Sequence, residues 1–257
     1  MKTAVYQMAV IPGQPKDNIK KVADWLNQLP DDIDIAVLPE MWNTSYTLNR
    51  LSDLIDDEGS REITMLQQAA KHQNVNIVAG SIAVKAGTKF RNRSIVINRR
   101  GNIIHHYDKI HLVPMLDEPS FLEAGNKFET FELDGMKMGM IICYDLRFPE
   151  ITRRLAVDGA ELLFVVAEWP IERIRHFTAL LTARAIENQC YVVASNGAGT
   201  CERTVFGGKS MVISPLGDVI AEAEMDEATI TAEIKTEQSD AVRQAIPIFK
   251  SRRTDLY

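Results

Sequence analysis

Short apolar runs of strand length alternate with segments of helical period along nearly the whole chain, and this alternation limits the available folds more than any other feature. Residues 4–10 read as a first strand, followed by an amphipathic stretch over residues 17–29 in which Ile19, Val22, Leu26 and Leu29 recur at helical steps. Asp17 suits the N-cap of that helix and Pro30 ends it. Residues 33–38 form the next strand, residues 60–73 a second helix and residues 76–82 another strand. Residues 94–97 and 103–107 flank Arg99-Arg100-Gly101-Asn102, a hairpin signal. Strands at 136–143, 162–166, 191–195, 209–214, 219–223 and 229–234, with helices at 150–158 and 173–188, complete the series. Hairpins mixed with βα crossovers predict a layered α/β sandwich whose helices cover sheets that face each other.

At 257 residues with 46% hydrophobic content, the chain can build one large core, and it contains no repeat or linker-like stretch. One domain over residues 1–257 is therefore expected. The formal net charge of -6 provides no basic field for nucleic acid or an anionic membrane. No apolar run approaches the roughly 18 residues that span a bilayer, and the first residues read as a strand rather than a signal peptide, so a cytoplasmic protein is expected. Cys143, Cys190 and Cys201 are odd in number and form no CxxC pair, which argues against both a disulfide framework and a zinc site.

Three reactive residue types each follow an apolar run. Glu40 follows Ile35-Ala36-Val37-Leu38-Pro39, Lys109 follows Ile103-Ile104-His105-His106-Tyr107-Asp108, and Cys143 follows Met138-Gly139-Met140-Ile141-Ile142. Strand ends at one edge of a sheet are where α/β proteins assemble sites, so the three can converge. An unassisted thiol, with a pKa of about 8.5, is only slightly ionised at neutral pH, so a nucleophilic cysteine needs a base, a cation or a helix N-terminus beside it. Glu40 would be that base and Lys109 that cation, while the helical segment beginning at Pro149-Glu150 starts late for a dipole contribution. The Lys109 ammonium and the Tyr144 backbone amide would supply the donors for an oxyanion. Spacing alone does not establish this, since a cysteine ending an apolar strand is more often a small core hydrophobe.

Other signals carry less. Gly208-Lys209-Ser210 resembles the end of a phosphate-binding loop, but Arg203 stands where its first glycine belongs and a strand-like run follows. His105 and His106 are adjacent on a strand and would face opposite ways, so they and His111 make no metal set, and His111 is expected in a supporting role. Cys190 and Cys201 read as packing residues. The pairs Arg184 with Glu187 and Arg147 with Glu150 read as structural ion pairs or loop caps. Trp169-Pro170, after the strand at 162–166, is placed to wall a pocket.

The segments Leu38-Pro39-Glu40-Met41, Tyr107-Asp108-Lys109-Ile110-His111-Leu112 and Ile142-Cys143-Tyr144-Asp145-Leu146-Arg147-Phe148-Pro149-Glu150 resemble the base, lysine and nucleophile motifs of the nitrilase superfamily, in that order. Ala183-Arg184-Ala185-Ile186-Glu187-Asn188 and Phe206-Gly207-Gly208-Lys209-Ser210, running into Ser214-Pro215-Leu216-Gly217, extend the resemblance to nearly the whole chain. The resemblance implies an αββα sandwich that pairs through its helices into a four-layer homodimer, with residues 245–257 reaching the partner. It implies amide hydrolysis through a Cys143 acyl-enzyme, with Glu40 as base and Lys109 holding the oxyanion, and no cofactor or metal. A second pocket glutamate is implied at Glu118, with Glu123 as the competing position.

The nucleophile segment and Glu168-Trp169-Pro170 resemble the omega-amidase branch, whose substrates are dicarboxylic monoamides such as 2-oxoglutaramate and 2-oxosuccinamate. Glu168 departs from the asparagine more usual in that branch. A substrate carboxylate would need a cation, and Arg147, Arg173 and Arg175 are near in sequence. Glu168 and Trp169 are expected to join Arg147 and Arg173 in binding the substrate. The competing readings are a nitrilase, an N-carbamoyl amino acid hydrolase, an aliphatic amidase and a catalytically silent binding protein.

Overall fold

Along the first strand the side chains alternate between two different cores. Val5 enters a cluster shared with the second sheet, whereas Ala4 and Tyr6 enter one beneath two helices, as the two-residue period of a strand requires. The same division holds for Ile35 and Val37 against Ala36, and for Val78 against Ile77. These sheets are therefore buried on both faces. The computed structural model describes residues 1–55, 58–235 and 237–256; Tyr257, the last residue of the segment expected to reach a partner, lies outside them.

The strands in chain order are β1 (Lys2–Gln7), β2 (Ile35–Val37), β3 (Asn76–Val78), β4 (Ile82–Ala86), β5 (Lys89–Ile97), β6 (Ile103–Asp108), β7 (Phe131–Leu133) and β8 (Met136–Ile142). They continue as β9 (Leu162–Ala167), β10 (Tyr191–Asn196), β11 (Thr200–Cys201), β12 (Thr204–Val205), β13 (Met211–Ile213), β14 (Val219–Glu222) and β15 (Ala228–Glu233). One mixed sheet runs β15-β1-β2-β3-β5-β4, with β6 also on β5, and the other runs β14-β13-β10-β9-β8-β7. β1, β2 and β3 are parallel, as are β8, β9 and β10.

The helices are α1 (Pro15–Asn27), α2 (Leu51–Leu54), α3 (Ser60–Gln73), α4 (Glu118–Phe121), α5 (Pro149–Val157), α6 (Ile174–Asn188) and α7 (Gln238–Ala245). Val22, Trp25 and Leu26 of α1, with Leu66 and Ala70 of α3, cover the outer face of the first sheet. Leu155 of α5 and Phe177, Leu181 and Ala185 of α6 pack on the second. Gly139 on β8 permits that packing, since a Cβ there would meet Leu155 Cδ1 at 3.0 Å. The layers are thus α, β, β, α, as expected, and Ser195 Oγ stitches the sheets by donating to Tyr6 O at 2.7 Å.

Several boundaries differ from those read in the sequence. α1 begins at Pro15, where a missing N–H costs nothing in the first turn, so Asp17 lies inside that turn rather than at the cap. The run at 76–82 is two strands, because the chain reverses at Gly80 (φ 58°), where a Cβ would lie 1.9 Å from Pro39 O. The Arg99-Arg100-Gly101-Asn102 turn is the hairpin it promised, with Asn98 N donating to Asn102 O at 2.9 Å. Among the described residues no helix is long and apolar enough to cross a membrane.

Candidate active site

The C-terminal ends of parallel strands from both sheets meet at one point. Glu40, just beyond β2, donates its backbone N–H to Ala167 O of β9 at 3.4 Å, and Glu168, just beyond β9, returns its own N–H to Glu40 Oε2 at 2.8 Å. The Gly80 reversal supports the Glu40 turn from below, since Ser81 N donates to Pro39 O at 3.0 Å and Met41 N donates to Ser81 Oγ at 2.9 Å. Ends of parallel strands from two sheets therefore frame the pocket.

Lys109, immediately after β6, is buried, and its Nζ donates to Glu40 Oε1 at 2.9 Å, Glu118 Oε1 at 2.7 Å and the Tyr46 hydroxyl at 3.1 Å. Glu118, at the first position of α4, is held through Oε2 by the N–H of Val113 at 2.6 Å. Of the two candidate glutamates, Glu118 lies against Lys109, while Glu123 stands at the surface against Arg91 at 3.4 Å. Burial works against the Lys109 charge, but Glu118 and then Glu40 outweigh it and raise the ammonium's pKa, so Lys109 is a cation. Burial raises Glu118, and the neighbouring ammonium opposes that rise.

Cys143 sits at the junction of β8 with a 3-10 turn over Cys143–Arg147, in the left-handed region at φ 45°. Non-glycine residues adopt this conformation at a cost of about 1–3 kcal/mol, which the surroundings must cover. Asp145 is the clamp: its Oδ2 accepts from Ile142 N at 3.1 Å and Tyr107 OH at 2.7 Å, and its Oδ1 from His111 N at 2.9 Å. His111 Nδ1 also lies 2.9 Å from Asp145 Oδ1, and the ring stacks on Phe148 at 3.6 Å. The supporting role expected of His111 is to tie the lysine segment to the nucleophile turn. Helical structure therefore starts at Cys143 itself, earlier than Pro149.

Burial foremost and Glu40 next push the pKa of the Cys143 thiol up, and Lys109 opposes them. The resting sulfur is a thiol. Burial also raises Cys190, to about 12, and Cys201; Cys190 lies in the hydrophobic core, and Cys201 lies near Ser45 and Glu168, so neither has Lys109 beside it. What distinguishes Cys143 is a base and a cation beside it.

Cys143, Tyr144, Arg147, Glu168, Trp169 and Arg173 line one cleft with Val113, Met115, Leu116 and Pro170. Trp169 is a wall, fixed by Nε1 donating to Arg173 O at 2.9 Å and by its backbone N–H to Asn196 Oδ1 at 2.6 Å. Arg147 lies 4.6 Å above the Trp169 ring and 5.8 Å above Tyr144, so it is a cleft residue stacked on aromatics, unlike the ion pair with Glu150 read from the sequence. Arg184 and Glu187 do pair, at 2.9 Å. Arg175 is exposed and absent from the cleft lining. Glu168 is fully buried with Ser45 Oγ at 2.9 and 3.0 Å from its two oxygens, and burial and then Glu40 raise its pKa.

Tyr46, Asn92, Ser45 and Asp145 complete the site and were not among the expected residues. Asn92 Nδ2 and Tyr46 OH each donate to Glu40 Oε1 at 2.8 Å. Only Tyr46 had a local signal, as an aromatic in the turn that follows the Glu40 motif. His105 and His106 face opposite ways, His105 buried against Phe131 at 4.8 Å and pushed down to about 4 by burial.

The carbon-nitrogen hydrolase profile matches residues 2–244. A 2-oxoglutaramate amidase of Bacillus subtilis (strain 168) is 42% identical over 98% of this chain and 97% of its own length. The omega-amidase YafV of Escherichia coli (strain K12) is 37% identical over 84% of this chain and 83% of its own. Among solved structures, Saccharomyces cerevisiae Nit3, described as a member of branch 10 of the nitrilase superfamily, superposes with a TM-score of 0.90 at 29% identity, covering 98% of this chain and 96% of that one. A carbon-nitrogen hydrolase from Helicobacter pylori G27 gives a TM-score of 0.93 at 25% identity, over 100% of this chain and 96% of that one. With a matching profile over nearly its full length and relatives this similar end to end, the chain belongs to the carbon-nitrogen hydrolase family.

Proposed function

We propose that the protein is an omega-amidase that hydrolyses the terminal amide of a small dicarboxylic monoamide such as 2-oxoglutaramate, within a single carbon-nitrogen hydrolase domain. The observation that carries this reading is Lys109 held between Glu40 and Glu118 at 2.9 and 2.7 Å, beside a cleft lined by Cys143 and edged by Arg147 and Arg173. Similarity to the B. subtilis 2-oxoglutaramate amidase supports the substrate class.

In this mechanism Cys143 Sγ attacks the amide carbon while its proton passes to Glu40, because a thiol this far above its usual range needs a base in contact. The oxyanion forms against the Lys109 ammonium and the Tyr144 N–H. Collapse breaks the C–N bond, the proton on Glu40 leaves with ammonia, and a thioester remains. Glu40 then takes a proton from water, whose oxygen attacks the thioester carbon. The second collapse breaks the C–S bond, the proton on Glu40 returns to Sγ, and the acid is released. Glu118 keeps Lys109 in place throughout.

Ammonia release from a panel of amides, nitriles and carbamoyl compounds tests the reading. We expect 2-oxoglutaramate or succinamate to be turned over, with kcat/KM falling roughly tenfold or more when the far carboxylate is esterified, since a lost charged hydrogen bond costs about 1.5 to 3 kcal/mol. Arg147 or Arg173 would make that bond bidentately. Equal turnover of acid and ester would remove the carboxylate clamp, and faster hydrolysis of a nitrile would replace the substrate class.

The active unit is a homodimer in this reading. Ile186 on α6 (51% exposed) and Ile246 beyond α7 (55% exposed) line one groove with Ile248, and the turn at Gly217 abuts Ile186 and brings up exposed Leu216. An apolar surface of this extent on a helical layer suits isologous two-fold pairing. Light scattering at micromolar concentration should give about twice the 28.9 kDa of one chain, and a clean monomer mass would refute pairing. All three cysteines are free, which fits the reducing cytoplasm.

A further inference from the structure

A lysine ammonium has three N–H bonds, and those of Lys109 all have acceptors in the resting site: Glu118 Oε1 at 2.7 Å, Glu40 Oε1 at 2.9 Å and the Tyr46 hydroxyl, the longest, at 3.1 Å. The Tyr46 hydroxyl stands 2.8 Å from Glu40 Oε1 and 2.8 Å from Glu118 Oε1, yet it has one proton to give. It donates to one carboxylate at a time. The two acceptors are not equally supplied, because Glu40 Oε1 also receives Asn92 Nδ2 at 2.8 Å, whereas Lys109 and Tyr46 are the donors to Glu118 Oε1.

We propose that Tyr46 is a positioning residue for the base, a hydroxyl rotor whose proton faces Glu40 while Glu40 is a carboxylate and turns to Glu118 once Glu40 has taken the thiol proton. This rests on Glu40 being the base for Cys143. No bond to hydrogen breaks at Tyr46. The O–H turns about its C–O bond while the thiol proton moves from Sγ to Glu40. The donor thereby follows the charge, and Glu118 remains compensated when the oxyanion draws on the ammonium. The N–H directed at Tyr46 is the longest of the three contacts and the one the oxyanion can take with least loss. Tyr46 itself stays protonated, since burial, Glu118 and Glu40 all push its phenol well above its usual range. The titratable groups facing this network are Glu40, Glu118, Lys109, Cys143 and, beyond Glu40, Glu168.

Tyr46→Phe tests the rotor, because it keeps the ring that packs against Phe206 at 6.5 Å and removes only the hydroxyl. Two pH profiles are read in wild type and variant: the alkylation of Cys143 by iodoacetamide, followed by intact mass against a Cys143→Ala control, and kcat and KM for 2-oxoglutaramate. Withdrawing a donor from paired carboxylates favours their protonation, so the acid limb of both profiles should move up by about one pH unit, a tenfold change in proton affinity. The value of kcat should fall roughly tenfold or more with KM changed less than about twofold. An acid limb that stays in place, whether kcat holds or falls together with the melting temperature, would reduce Tyr46 to a space-filling residue and overturn the proposal. A displaced alkylation limb in a protein that releases no ammonia from any amide would retain the rotor and remove the amidase reading.

Discussion

Replacing Cys143 with alanine is expected to lower amide turnover by at least about a thousandfold, because loss of a nucleophile that acts as one unit with its base removes the covalent route altogether. Neither Cys190 nor Cys201 can take its place, since neither lies beside Glu40 and Lys109. The fold should survive: the side chain is small, the Asp145 clamp acts on Ile142 and His111 backbone amides, and alanine tolerates the left-handed φ of 45° no worse than cysteine. Cys190→Ala and Cys201→Ala should keep most of the wild-type kcat and serve as controls. Ammonia release by Cys143→Ala above about a tenth of wild type would sink the nucleophile assignment, given the size of such losses elsewhere.

What the sequence reveals of the fold and the site depends on whether the determining interaction is local. α3 matches the helix read over residues 60–73, and left-handed Gly59 and Asn74 flank it. Glu40, Lys109 and Cys143 each end an apolar run, where strand ends carry sites, but it is the resemblance of their motifs to a known family that singles them out in the sequence. The strand at 76–82 was misjudged because the break at Gly80 arises from Pro39, a residue distant in sequence whose carbonyl occupies the space. Asn92 was invisible for the same reason. It lies mid-strand in β5, and what brings its amide to Glu40 is the order β2-β3-β5 within the sheet. Asp145 carries no signal of its role in the sequence, since its clamp exists only because β6 and the segment after it bring Tyr107 and His111 opposite it. The sequence offers Arg147 both as a partner of Glu150 and as a cation for the substrate, and Trp169, just beyond β9, captures its guanidinium at the cleft.

Lys109→Met should cost at least about a thousandfold in kcat, since it removes an oxyanion donor together with the group that holds both glutamates. It should also destabilise the fold, in a way that identifies the cause. Methionine keeps the length of the lysine stem, so little cavity forms, and the loss is chiefly that of a buried cation between two buried carboxylates. Removing one partner of such a buried cluster costs about 3 to 5 kcal/mol. In the wild-type protein burial raises the Glu118 pKa and Lys109 restrains that rise, so without Lys109 the folded-state value climbs further above the unfolded value of about 4.3. A carboxyl raised on folding carries its proton in both states below the unfolded pKa and must be ionised against burial above the folded one. The deficit of the variant relative to wild type is therefore small near pH 4 and grows as the pH rises through the folded-state value. Urea unfolding of both proteins at about pH 5 and pH 7.5 measures it, with the larger gap expected at the higher pH. A gap that is constant or shrinks with rising pH would mean that Lys109 contributes packing rather than charge, and the electrostatic account of the Glu40-Lys109-Glu118 cluster would fall with it.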